Sequence, residues 1–316
     1  MPRKARLDVY GTIHHVIARG IELSPIFRDD ADRSDFIERL GALVEETKTT
    51  LYAWALIPNH FHILLRSGPR GLSHFMRRLL TGYAVRFNRR YKRAGHLFQN
   101  RYSSIVCEED PYFMELIRYI HLNPIMAHIV KTMEELDFYR FTGHSVIMGK
   151  NHFLWQDTGY VLSWFGSSRE SYRSFIKKGI DHDITDLDGG GLIRSSGGRL
   201  EASNTKGIDR VLNDQRILGT GDFVEQLLKQ KIKQQNISPT EHIHAMEDIL
   251  RRYCTEAGIT IKELQGGSRV MPLPRIRSEI AYALTKELGM SCAEIARQLG
   301  VPHVAVSKMM KKENRS

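Results

Sequence analysis

The segment PNHFHILL at 58–65 sets His60 and His62 two positions apart. On a strand, residues i and i+2 share a face. The two imidazoles therefore stand side by side, and Phe61 turns to the opposite face, into the core. Two neutral imidazoles on a rigid strand make a half-site for a divalent metal. The partners lie in LIRYIHLNP at 116–124. Tyr119 and Asn123 are four apart and share one helical face. Asn123 offers a side-chain oxygen as a third ligand, which suits Mg2+ or Mn2+. Tyr119 offers a phenol that can attack phosphorus. A free phenol, with a pKa of about 10, is a poor nucleophile without help. A bound metal would polarise a non-bridging phosphate oxygen and stabilise charge in the transition state. The products would be a phosphotyrosine link and a free hydroxyl. Because the link keeps the bond energy, the strand could be rejoined without a nucleotide cofactor. Tyr112 lies about two helical turns earlier on the same face and is the alternative nucleophile, or a second one.

The surrounding charge points to a polyanion. No Asp or Glu occurs between Arg66 and Glu108. Arg77, Arg78, Arg86, Arg89, Arg90, Arg93 and Arg101 fall in that window, interleaved with Phe75, Tyr83, Phe87, Tyr91, Phe98 and Tyr102. Arginines with exposed rings form a backbone clamp and stacking platform for single-stranded DNA, although some of these rings must be core. The net charge of +10 fits a nucleic-acid partner. The apolar stretches, such as AWALI at 53–57, are too short to span a bilayer, so no membrane partner is expected. The three cysteines, Cys107, Cys254 and Cys292, are far apart. They suit neither a disulfide framework nor a Cys-rich zinc site. With no apolar run behind the basic N-terminus, the expected location is cytoplasmic, at the nucleoid.

Elements must hold these groups in place. Residues 10–18 read as a strand, 31–47 as a helix behind Asp29 and Asp30, and 50–57 and 60–66 as strands joined by a tight Pro58-Asn59 turn. A helix over 71–92 and a strand over 98–107 follow. The order β-α-β-β-α-β predicts an α+β fold, a ferredoxin-like split antiparallel sheet. A third helix begins near Pro111 and is expected to end before Asn123-Pro124, since proline disfavours helical geometry in the residue before it. Residues 131–180 read as loops and short helices packed on this first domain, 1–130. Residues 181–220 read as a flexible linker or a long loop, with 181–207 rich in Gly, Ser and Asp.

Residues 221–316 read as a helical domain, with helices over 240–256 and 272–289. Residues 291–312 carry a helix-turn-helix pattern that turns at Gly300, with Pro302 opening the second helix. That helix would enter the major groove of duplex DNA with His303, Ser307, Lys308 and Lys311 as its reading face. The other reading is two packed helices with no DNA role.

PNHFHILL, the basic helix after it, GHLFQNRYSS at 95–104 and RYIHLNPIMAHIV at 118–130 together resemble the REP-associated tyrosine transposases. These are of the insertion-sequence type of single-tyrosine HUH transposases, and the resemblance spans roughly 8–180. It implies that His60 and His62 hold the metal, that Tyr119 is the nucleophile and that Asn123 is the third ligand. It also implies cleavage of single-stranded DNA beside hairpins, leaving a 5′-phosphotyrosine and a 3′-hydroxyl. The family often has Val-Arg-Ala-Gly where this chain has Ile125-Met126-Ala127-His128, a change that touches DNA contacts and not the metal set. Residues 240–312 are similar, more loosely, to the DNA-binding domain of the chromosomal replication initiator. Its usual Asp-His-Thr-Thr is here Pro302-His303-Val304-Ala305. Two other functions fit the residues: a non-catalytic DNA-binding regulator using the helix-turn-helix, and a metal-dependent nuclease that attacks with water. A monomer and a homodimer are both compatible with the sequence.

Overall fold

The computed structural model describes residues 7–180, 216–234, 239–268, 270–288, 290 and 292–313. The chain divides into two units, 1–228 and 229–316.

In the first unit the strands are β1 (Ile13–Arg19), β2 (Thr50–Ile57), β3 (His60–Arg66), β4 (Ser103–Cys107) and β5 (Ile217–Leu218). They form one sheet in the order β2-β3-β1-β4-β5. The pairs β1–β3, β1–β4 and β2–β3 are antiparallel. This is the split β-α-β sheet expected, with one added strand. Alternation of apolar residues separates two cores. On one face Val16, Trp54, Phe61 and Ile63 meet Phe36, Leu40, Phe75 and Leu79. The latter come from α1 (Asp30–Thr47) and α2 (Gly71–Arg90). On the other face Ile13, Ala55 and Leu64 meet Phe113, Leu116, Ile117 and Ile120 of α3 (Glu109–Met126). A register shift between Leu51 and Ala53 lets Tyr52 join Ala53 in the α3-side core.

α1 starts where its cap predicts. The Asp29 carboxylate accepts the Asp32 N–H at 2.9 Å, meeting one of the unpaired donors at a helix start. Four short helices follow α3: α4 (Met133–Phe138), α5 (Gly143–Ile147), α6 (Thr158–Ser163) and α7 (Arg169–Lys178). They supply Leu136, Ile147, Val161 and Tyr172 to the α3-side core.

Three expectations need correction. The strand expected over 98–107 is regular only over Ser103–Cys107, with Phe98 forming an isolated bridge to Gly20. α3 does not stop before Asn123-Pro124 but runs to Met126 with Pro124 inside it. The Ala127 N–H still donates to the Asn123 carbonyl at 2.8 Å. Burial of Ile120, Leu122 and Pro124 outweighs the local preference of a residue before proline.

The third correction concerns the expected linker. Its residues 181–215 lie outside the described residues, but Ile217–Leu218 form a strand of the sheet. Val106 N–H donates to the Arg216 carbonyl and Glu108 N–H to the Leu218 carbonyl, each at 2.8 Å. β5 thereby runs parallel to β4. Val224 and Leu227 of α8 (Gly221–Gln234) pack with Leu7, Val9, Val106 and Ile217. The start of the expected 221–316 domain thus belongs to the first unit. Its apolar side is used there.

The second unit contains α9 (Pro239–Glu256), α10 (Ile261–Gln265), α11 (Leu273–Leu288), α12 (Cys292–Leu299) and α13 (His303–Glu313). Leu250, Leu264, Ile280, Leu284, Ile295, Leu299 and Val306 form its core. No helix among the described residues is long and apolar enough to cross a membrane.

Candidate active site

The β2–β3 turn fixes the first imidazole. Backbone N–H groups of Ile26 and Phe27 donate to the Pro58 carbonyl, and that of Gly20 to the Asn59 carbonyl. His60 Nδ1 lies 2.7 Å from Asn59 Oδ1. An amide oxygen only accepts, so the proton is on Nδ1 and the ring lone pair on Nε2. The His60 and His62 rings are 5.0 Å apart at 75°. His62 is 1% exposed, and its Nδ1 lies 3.0 Å from His15 Nε2. Burial, then the charges of His15, His60 and Arg19, hold His62 well below the usual imidazole range. It is therefore neutral at neutral pH, the state a metal ligand requires.

α3 lays the phenol over this pair. The Tyr119 ring is 5.5 Å from that of His62 and 5.7 Å from that of His15, edge-on to both. Asn123 follows one turn later, and its Nδ2 donates to the Tyr119 carbonyl at 2.8 Å. That bond fixes the nitrogen end of the amide and assigns Oδ1 as the acceptor. The structure thus brings His60, His62 and Tyr119 together, with Asn123 on the same helix. Two imidazole nitrogens and an amide oxygen are a mixed donor set that Mn2+ or Mg2+ accepts. Among the described residues no group of three or more His, Cys, Asp or Glu is arranged for a metal. A cation here would therefore need the amide oxygen to complete a protein triad. The donor set fits such an ion.

One buried network holds α3 against the sheet, and a second ties it to the short helices. The Arg66 guanidinium donates twice to Glu109 at 2.7 Å, to Tyr52 Oη at 3.0 Å and to the Gly11 carbonyl at 2.7 Å. Tyr160 Oη donates to the same Glu109 carboxylate at 2.5 Å. Farther along α3, His121 Nδ1 meets Tyr172 Oη at 2.8 Å. That hydroxyl also meets His144 Nδ1 at 2.7 Å, and His144 Nε2 lies 2.9 Å from Asp137. Burial lowers the pKa of His121 well below its usual value.

The expected arginine clamp divides. α2 lies on the sheet face opposite α3, so its arginines do not surround Tyr119. Arg78 pairs with Glu46, Arg86 with Asp35, and Arg90 with Asp29 and Asp32. The window without acids in the sequence meets the carboxylates of α1 in space. Among the described residues, Arg77, Arg89, Arg93 and Arg101 make no ion pair; Arg93 lies over the Phe87 ring instead. On the histidine side there is an open cleft of about 270 Å³, lined by Ile17, Arg19, Gln99, Asn100, Arg101 and Ser103. Ile17 is the register partner of His62 on one side and of Ser103 on the other. Of the expected DNA contacts, Arg101 lines this cleft, and Arg19 is an addition. Tyr112 makes no ring contact with the histidines among the described residues. Burial, then Glu108 and Cys107, raises its pKa.

In the second unit α12 and α13 form the expected helix pair, with Gly300 at φ +63° between them. Ser307 is half-buried and Lys308 exposed on α13. His303 and Lys311 lie on the same helix, but their side chains fall outside the described residues.

His15 was missed in the sequence, although IHHV at 13–16 shows it. Alternation alone gives two candidate faces for that histidine pair. The register that sets Ile17 beside His62 decides that His15, not His14, reaches the site.

Residues 8–123 of the chain match a protein-family model described as "Transposase IS200 like". The chain is also similar to a solved structure described as "Structure of the REP associates tyrosine transposase bound to a REP hairpin". Identity there is 16%, with 49% of this chain and 91% of that chain covered, at a TM-score of 0.39. No curated protein matches the chain.

Proposed function

We propose, starting from a first unit whose residues 8–123 match the IS200-like transposases, that this chain breaks and rejoins single-stranded DNA through a covalent link to Tyr119. The observation that carries the reading is the Tyr119 ring packed edge-on at 5.5 Å from the His62 ring. His60, His62 and Asn123 would hold Mg2+ or Mn2+, which when bound would withdraw charge from a phosphate oxygen. Tyr119 Oη then forms a bond to phosphorus as the bond from phosphorus to the 3′-oxygen breaks. The phenol loses its proton and the departing 3′-oxygen gains one. The 5′-side stays on the enzyme as phosphotyrosine, and reversal by another 3′-hydroxyl joins the strands. Arg19 and Arg101, at the cleft beside the histidines, are placed to take the flanking backbone phosphates. The preference for hairpin-associated sites follows from the family resemblance. Duplex binding by α13, through Ser307, Lys308, His303 and Lys311, is part of the same proposal.

A denaturing gel with labelled hairpin-bearing single-stranded DNA and Mn2+ tests it. The wild type is expected to give a covalent adduct, Tyr119→Phe none, and Tyr112→Phe the wild-type amount. An undiminished adduct from Tyr119→Phe removes that residue as nucleophile. Cleavage without any link favours a water-attacking nuclease, and duplex binding with no cleavage favours a regulator.

A further inference from the structure

A third histidine sits in the site without a role in metal ligation or attack. His15 Nε2 lies 3.0 Å from His62 Nδ1, and the His15 ring meets the Tyr119 ring at 5.7 Å and 79°. His15 is 1% exposed. It reaches His62 because it lies diagonally across the β1–β3 pair, where Ile17 is opposite His62 and His15 opposite Leu64. Such diagonal neighbours are within reach of ring side chains.

The hydrogen bond has two polarities, and they have opposite consequences. If His15 donates from Nε2, His62 accepts at Nδ1 and carries its own proton on Nε2. That state presents no lone pair to a cation. If His62 donates from Nδ1, its Nε2 lone pair is exposed to one, and His15 keeps its proton on Nδ1. With His60 already presenting Nε2 through its bond to Asn59, only the second polarity gives two ligating nitrogens on one strand face. His15 Nε2 is engaged by His62, so His15 is not a ligand beside it.

We propose that His15 is a positioning residue: it accepts the Nδ1 proton of His62, holds that ring in the metal-binding tautomer and braces the Tyr119 ring against it. The inference rests on the proposed metal reading of His60, His62 and Asn123.

Binding of Mn2+ to the DNA-free full chain, followed by the electron paramagnetic resonance signal of free Mn2+, tests the inference without any reaction. His15→Phe keeps a ring against Tyr119 but removes the acceptor. His15→Gln places an amide oxygen near the position of Nε2. Loss of a partner that orients a metal ligand typically weakens metal binding by about 10–100-fold, so His15→Phe should fall in that range and His15→Gln within about threefold of wild type. Urea midpoints of both variants show whether the fold is kept. As a second readout, Mn2+ titration of adduct formation should shift to higher Mn2+ in His15→Phe, with the yield at saturation largely restored. Wild-type Mn2+ affinity in a folded His15→Phe overturns the proposal, as does equal weakening in Phe and Gln variants. A wild type that binds no Mn2+ overturns the metal reading itself, and this proposal with it.

Discussion

At the scale of single residues, chemistry and backbone geometry meet at few places. His60 owes its tautomer to Asn59, and His62 owes its neutrality to burial. In the second unit the demanding residue is Gly300. At φ +63° an added Cβ would lie 2.1 Å from the Gln265 carbonyl oxygen. Left-handed geometry alone costs a non-glycine residue about 1–2 kcal/mol, and the collision adds to it. Gly300→Ala is expected to lower the stability of the helix pair by more than about 2 kcal/mol, read as an earlier urea transition for the second unit. An unchanged transition would mean that the turn relaxes freely. The candidate residues were legible because they obey short rules: i, i+2 on a strand for His60 and His62, and i, i+4 on a helix for Tyr119 and Asn123. His15 was not, because its role depends on which residue of a strand 47 positions away stands opposite.

At the scale of elements, the position of α3 decides whether phenol and imidazoles meet. Its first turn is held by Glu109, whose carboxylate receives both the buried Arg66 and Tyr160. Arg66 is 4% exposed at its side chain and Glu109 11%. Removing one partner of a buried ion pair leaves an uncompensated charge. Glu109→Gln is therefore expected to cost about 3 kcal/mol in urea unfolding of the first unit and to lower adduct formation at saturating metal. A loss under about 1 kcal/mol would mean that water reaches the guanidinium. The strands 50–57 and 60–66 could be read to the residue, since apolar alternation and a Pro-Asn turn agree there. Element ends set by tertiary packing were not readable, as at Pro124, which burial keeps helical. Nor was the electrostatic role of α2. Its arginines look unopposed along the chain, yet α1 supplies Glu46, Asp35 and Asp32, and its N-cap Asp29, across a helix–helix interface.

At the scale of the whole molecule, four buried histidines share one liability. Burial lowers His14 to about 4 and lowers His62, His121 and His144 as well. In the unfolded chain each titrates near 6.5. Above that value neither state binds the proton and stability is unaffected. Below it the unfolded chain takes up protons that the folded chain refuses, so stability falls by up to about 1.4 kcal/mol per pH unit for each histidine. For His14 this continues down to about 4. With a chelator present, the urea midpoint should drop markedly between pH 7 and 5.5, by the equivalent of at least about 2 kcal/mol. A flat profile would mean that these rings are hydrated. The return of the chain at Ile217–Leu218 also carries a consequence for synthesis. β4 is made about 110 residues before the strand that covers its outer edge. At ordinary translation rates of about 5–20 residues per second, that edge waits on the order of 5–20 seconds at the ribosome. During that interval its unpaired backbone groups, beside Leu7, Val9 and Val106, are open to another nascent strand. Slow translation downstream of residue 107 would lengthen the exposure, and capture of the partly made chain by a chaperone would shorten it.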